Sequence, residues 1–120
     1  PRAAKVLEQV GMLHAASKAP YHLSAGEKRR AAIAGVLAME PDVLVLDEPT
    51  TYLDPPAERE LAALLLRLPQ AKLIVTHDVA FARAIATRAV FFEHGRVGPV
   101  DDIIRRFDWD SLQSMSPDRR

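Results

Sequence analysis

The sequence contains no cysteine, so it has neither a disulfide framework nor a thiolate metal site, which fits a reducing compartment. No apolar run approaches the ~20 residues of a membrane-spanning helix, and no basic-then-apolar leader opens the chain. A role at a membrane is therefore expected to need a separate subunit. There is no excess of charge either. Lys plus Arg and Asp plus Glu each number 16, so no overall field draws nucleic acid or an anionic membrane, and anion binding must be local. Repeats and low-complexity tracts are also missing. What remains is ordinary globular material, 120 residues with 48% hydrophobic and 27% charged, long enough for one modest core.

The chain is organised around residues 43–50, Val-Leu-Val-Leu-Asp-Glu-Pro-Thr. Four apolar residues in a row predict a strand buried on both faces, and in open parallel sheets the ligand crevice lies beyond the carboxyl ends of such strands. Asp47 and Glu48 stand at that end. Two adjacent carboxylates there are costly to desolvate unless a cation or polar substrate meets them. In phosphoryl-transfer sites a strand-end Asp holds Mg²⁺ and a further group orients the attacking water, roles that Asp47 and Glu48 would take in turn. The plainer alternative, a solvated strand end with helix-capping acids, is equally compatible with these eight residues alone.

Around this stretch the pattern alternates. Residues 3–10 predict a short helix with Val6, Leu7 and Val10 on one side and Gly11 as its stop. His14 and His22 have no partner at metal-ligand spacing and are expected as solvated loop residues. Ser24 followed by Glu27 is a capping box, predicting a helix over 25–39 that Pro41 ends and that is apolar on most sides. Its first turn, Ala25-Gly26, leaves backbone N–H groups uncovered, and with the helix dipole and the Ser24 hydroxyl it makes a phosphate cradle. A merely well-capped helix would look the same. Asp54 caps a helix opened by Pro55-Pro56, with Leu61, Leu64, Leu65 and Leu68 inward. Residues 73–75 predict a second buried strand ending at Thr76-His77-Asp78, so His77 would open on the same crevice as Asp47. Asp78 caps a helix to about residue 87, a third strand spans 89–93, and His94-Gly95 turns into a hairpin return. A short helix is expected over 101–107, then a polar tail. Strands alternating with helices at these lengths imply an α/β fold with a mostly parallel sheet.

Leu23-Ser24-Ala25-Gly26-Glu27, residues 43–49, Leu53-Asp54 and Thr76-His77-Asp78, in this order and spacing, resemble the C-terminal part of an ABC transporter ATP-binding subunit. The run from Leu23 to Thr50 most resembles the energy-coupling-factor and cobalt or nickel importer ATPases. The resemblance implies a partial P-loop NTPase fold with flanking helices. It places the C-terminal part of the ATPase domain over 1–107, divided into a helical signature region (1–40) and part of the catalytic core (41–107), with a polar tail over 108–120.

It further implies that Leu23, Ser24, Ala25, Gly26 and Glu27 form the signature motif, contacting the γ-phosphate of an ATP held mainly by a second ATPase subunit. By the same resemblance Asp47 is the Mg²⁺ carboxylate, Glu48 the catalytic base, Asp54 the loop residue crossing the dimer interface, and His77 the switch histidine. The cofactors implied are ATP and Mg²⁺. The partners implied are that second subunit, identical or not, and transmembrane transporter subunits at the cytoplasmic face of the membrane, with no nucleic acid. Ala25 departs from the usual glycine, and Tyr52 stands where a small residue is usual.

None of the five glycines is followed by Lys, so the Gly-x-x-x-x-Gly-Lys-Ser/Thr loop on which the family binds ATP is missing, as is the family's glutamine loop. The P-loop strand would lie between the strands at 73–75 and 89–93. The chain is thus expected to be part of a longer or split subunit and to be inactive alone. Two other readings compete with an ATP-hydrolysing importer subunit: a non-transport relative acting on DNA or ribosomes, and a non-catalytic interaction module. Balanced charge gives no basic stripe for the first, and the intact Asp47, Glu48 and His77 argue against the second.

Overall fold

A computed structural model of the protein describes residues 2–99. The helix expected at 101–107 and the tail at 108–120 lie outside the described residues. The order of elements is α1 (Arg2–Gln9), two 3-10 turns (Leu13–Ala15 and Pro20–His22), α2 (Ala25–Leu37), β1 (Val43–Asp47), α3 (Pro55–Arg67), β2 (Ala71–Val75), α4 (Val79–Ile85), β3 (Val90–Glu93) and β4 (Arg96–Pro99).

Local chemistry sets the ends of these elements. Gly11 adopts a left-handed φ of 69°, its N–H bonds to the Glu8 carbonyl, and the Met12 N–H reaches back to Leu7. That pair of bonds is a Schellman stop, and glycine takes the conformation without steric cost. At α2 both halves of the capping box form: the Glu27 N–H donates to Ser24 Oγ and the Ser24 N–H to Glu27 Oε1, each at 3.1 Å. Asp54 Oδ1 accepts from the Ala57 N–H and Asp78 Oδ1 from the Phe81 N–H, both at 2.9 Å, capping α3 and α4.

β1 and β2 pair in parallel, with Val43 opposite Ala71 and Asp47 opposite Val75. β3 and β4 form a separate antiparallel hairpin. Its turn residues His94 and Gly95 both have positive φ, 48° and 74°, as a two-residue hairpin turn of matching twist requires. The core joins α1, α2, α3 and α4 to one face of the parallel pair: Val6, Val10, Met12, Ile33, Ala34, Leu37, Leu44, Leu61, Leu64, Leu65, Leu68 and Phe81 are buried together. Lys72 crosses from β2 to the C-terminal end of α3, where its Nζ donates to the Leu68 and Gln70 carbonyls at 2.6 and 2.7 Å.

The strands are not buried on both faces. Along β1 and β2 burial alternates, with Leu44, Leu46, Lys72 and Ile74 turned to the helices and Val43, Val45, Leu73 and Val75 turned away. Val45 is 68% exposed and Leu73 58%, so the second face of the pair carries an apolar row that no described element covers. A continuous apolar run expresses what a strand can bury. In the described residues only one layer of helices is present to bury it. For the same reason α2 is not packed all round: Ile33, Ala34 and Leu37 are buried, while Val36 is exposed, as is Met39 just beyond the helix. It ends at Leu37, earlier than the expected residue 39.

Candidate functional site

The parallel register brings the ends of β1 and β2 side by side, and the carboxylates and His77 follow from it. Asp47 is the last residue of β1 and is exposed on the uncovered side of the pair. Glu48 extends the pairing by one bond, its N–H donating to the Val75 carbonyl at 2.7 Å. Its backbone then turns left-handed, with φ at 47°. For a non-glycine residue such a conformation costs about 1 kcal/mol or more and persists only where neighbours hold it. Here they do. One carboxylate oxygen of Glu48 accepts the His77 backbone N–H at 3.3 Å, and the other lies 3.7 Å from His77 Nε2. The Glu48 carbonyl accepts from Arg29 of α2 at 3.2 Å. The Glu48 side chain is half-buried, whereas that of His77 is 94% exposed. The structure therefore joins Glu48 and His77 as a pair, adjacent to Asp47, and its imidazole reaches outward from the strand end.

Arg29 does more than touch Glu48. The same guanidinium donates to the Pro49 carbonyl at 2.7 Å and to the Thr51 carbonyl at 3.2 Å. It thereby ties the second turn of α2 to three residues of the segment between β1 and Asp54. Nothing in the sequence singles out Arg29, because its acceptors are backbone carbonyls 19 to 22 residues away and a carbonyl carries no side-chain signature.

The two helix N-termini also meet. A Cβ placed on Gly26 would lie 3.1 Å from the Ala57 Cβ, so the first turns of α2 and α3 approach closely because Gly26 has no side chain. The first turn of α2 is thus set against that of α3, whose cap is Asp54. Two helix N-termini this close sum their partial positive charges. Glu27 is committed to the cap. The Ser24 backbone N–H, then the Ser24 hydroxyl, holds its carboxyl below the usual carboxylate range, against a smaller opposing effect of burial. His14 contributes in the same direction and Lys18 by its charge.

His14 is solvent-exposed as expected, 59% of its side chain, but it also has a partner. It lies in a 3-10 turn, and its Nε2 is 3.4 Å from Glu27 Oε2, beside the cap. His22 is exposed as expected, with its ring edge-on to Tyr21. Tyr52, 90% exposed, has a left-handed φ of 65°, which gives the usual preference for a small residue there a physical reason.

Known proteins resemble this chain over most of its length. Residues 1–51 match the family model for ABC transporters. An ABC transporter ATP-binding protein of Geobacter sulfurreducens is 50% identical over 105 residues, which is 85% of this chain and 42% of that protein. The energy-coupling factor transporter ATP-binding protein EcfA of Carboxydothermus hydrogenoformans is 46% identical over 99 residues, 80% of this chain and 37% of that protein. The solved structure of CbiO1 from Clostridium perfringens, part of the ABC transporter complex CbiONQ, superposes with a TM-score of 0.77 at 34% identity. That alignment covers 97% of this chain and 49% of CbiO1. The chain therefore spans less than half the length of these relatives. With its capped helix, its paired parallel strands and these likenesses, the chain belongs to the ATP-binding domain family of ABC transporters.

Proposed function

We propose that this chain supplies the signature helix and the hydrolytic strand end of an ATP-hydrolysing subunit of an ABC importer. The observation that carries the reading is the Glu48 carboxylate fixed against His77 at the ends of paired parallel strands, one residue from Asp47. A carboxylate held by a backbone N–H and an imidazole, yet only half-buried, is placed to accept a proton from an attacking water. His77, reaching into solvent, is placed to donate to a terminal phosphate.

Asp47 suits Mg²⁺. It offers one exposed carboxylate, to which a Mg²⁺ would add water and substrate phosphates as its remaining ligands. Bound there, Mg²⁺ would neutralise phosphate charge. The cap at Ser24, with Leu23, Ala25, Gly26 and Glu27, faces an ATP held mainly by a second ATPase subunit, and Asp54 crosses between the two. The pair of subunits docks on transmembrane subunits at the cytoplasmic face of the membrane. Likeness to EcfA and CbiO1 supports uptake, with metal ions or vitamins as the class of cargo. The 120-residue chain alone, without a phosphate loop, neither binds ATP tightly nor hydrolyses it.

Complementation tests the shared site. In the complete subunit, one variant lacks the phosphate-loop lysine and the other carries Ser24→Arg, which sets bulk and side-chain charge where a phosphate meets α2. Each is inactive alone. In a mixed dimer the intact loop of the second variant faces the intact signature of the first, so mixing with subunit exchange restores ATPase activity. If verified mixed dimers stay inactive while dimers with one wild-type subunit hydrolyse ATP, the assignment of Ser24 to the partner's nucleotide is wrong.

A further inference from the structure

We propose that Arg29 is a positioning residue for Glu48, acting through the backbone. This rests on the reading of Glu48 as the base. The Glu48 main chain is held left-handed at the point where β1 ends, and an unfavourable conformation of that kind relaxes unless something opposes it. On its carboxyl side the Thr51 N–H closes a local turn onto the Glu48 carbonyl at 3.2 Å, and one side chain ties that turn to the rest of the fold: the Arg29 guanidinium donates to the carbonyls of Glu48, Pro49 and Thr51. A planar fork with five N–H donors can serve three acceptors at once, whereas a lysine ammonium on a flexible stem cannot match that spacing. Because Arg29 lies in the helix capped by Ser24, it also makes a mechanical link between that capped end and the carboxylate. A phosphate engaged at the N-terminus of α2 would thereby be reported to Glu48 and, through Thr51, to the segment that leads to Asp54.

The test uses the complete subunit in its assembled transporter. Arg29→Ala should lower kcat by roughly 10²-fold, the scale of a small misplacement of a catalytic group, with KM for ATP changed little. Millimolar guanidinium should restore part of the rate, whereas methylammonium at the same concentration should not. Arg29→Lys should fall between wild type and Arg29→Ala, and serves as the second variant if Arg29→Ala fails to fold. Because Arg29 acts through Glu48, Arg29→Ala should add little to the loss in Glu48→Gln.

Wild-type kcat in Arg29→Ala overturns the proposal. So does an unchanged kcat with raised KM, or an equal fold-loss from Arg29→Ala in the wild-type and Glu48→Gln backgrounds. If Glu48→Gln alone turns over at the wild-type rate, the base assignment itself falls, and the two failures are thus told apart.

Discussion

Glu48 and His77 meet twice: the His77 backbone N–H donates to one oxygen of the Glu48 carboxylate at 3.3 Å, and His77 Nε2 lies 3.7 Å from the other. The residues are 29 positions apart and are brought together by the parallel register of β1 and β2, which sets Asp47 opposite Val75. The backbone contact belongs to the fold, while the imidazole contact can be removed without touching it.

Replacement of His77 should therefore separate chemistry from stability. The side chain is 94% exposed, so His77→Ala should leave the unfolding free energy within about 0.5 kcal/mol. In the complete subunit its turnover should fall by roughly 10²-fold, the usual scale for a group that handles a proton or a developing charge. Urea unfolding and steady-state ATPase rates check the two halves, and a folded His77→Ala subunit with undiminished turnover would leave His77 no switch role.

The cap of α2 gives a stability with a defined pH dependence. Ser24→Ala removes the acceptor for the Glu27 N–H and should destabilise by about 1 kcal/mol. Glu27 has its folded-state pKa lowered, first by the Ser24 backbone N–H, so its ionised form is favoured in the folded protein. This contribution is present at neutral pH, above the unfolded-state value, and is lost as pH falls through the lowered folded value. Glu27→Gln keeps a side chain able to complete the capping box but cannot titrate. Its stability should be less sensitive to acidification than that of the wild type, as unfolding midpoints measured from neutral to acidic pH would register.

Tyr52 should respond to substitution through its backbone. Its φ is 65° and its side chain is 90% exposed, so little packing is at stake. Tyr52→Gly should raise stability by up to ~1 kcal/mol, the left-handed strain relieved less the entropy that glycine adds to the unfolded chain. Tyr52→Ile should lower it, because a β-branched side chain tolerates that conformation least. Opposite signs in chemical denaturation are the expected result; equal effects would show that the side chain, and not φ, governs this position.

What the sequence made legible here is what local chemistry decides. Gly11 stops α1, and Ser24, Asp54 and Asp78 cap α2, α3 and α4, because each acts on residues within a turn of itself. The closeness of Glu48 and His77 was legible at one remove, since both end apolar runs joined by a helix and such runs pair in parallel. The left-handed backbone of Glu48 was not, because glutamate has no compositional mark for positive φ. Nor was the hold of Arg29 on three distant carbonyls, or the pairing of His14 with Glu27, all of which depend on tertiary placement. The expected two-sided burial of β1 does not hold. Val43 and Val45 are apolar like Leu44, yet the described helices cover only the face that Leu44 shares.

The most direct test of the central claim is the behaviour of Glu48→Gln in the complete subunit, measured as ATP binding and hydrolysis on the same preparation. The amide keeps the shape of the carboxylate and an oxygen to accept from the His77 N–H, but it cannot take a proton from water. The account predicts that Mg-ATP binding is retained while hydrolysis falls by ~10²-fold or more. Hydrolysis near the wild-type rate with binding intact would contradict it, and would remove Glu48 from the base role.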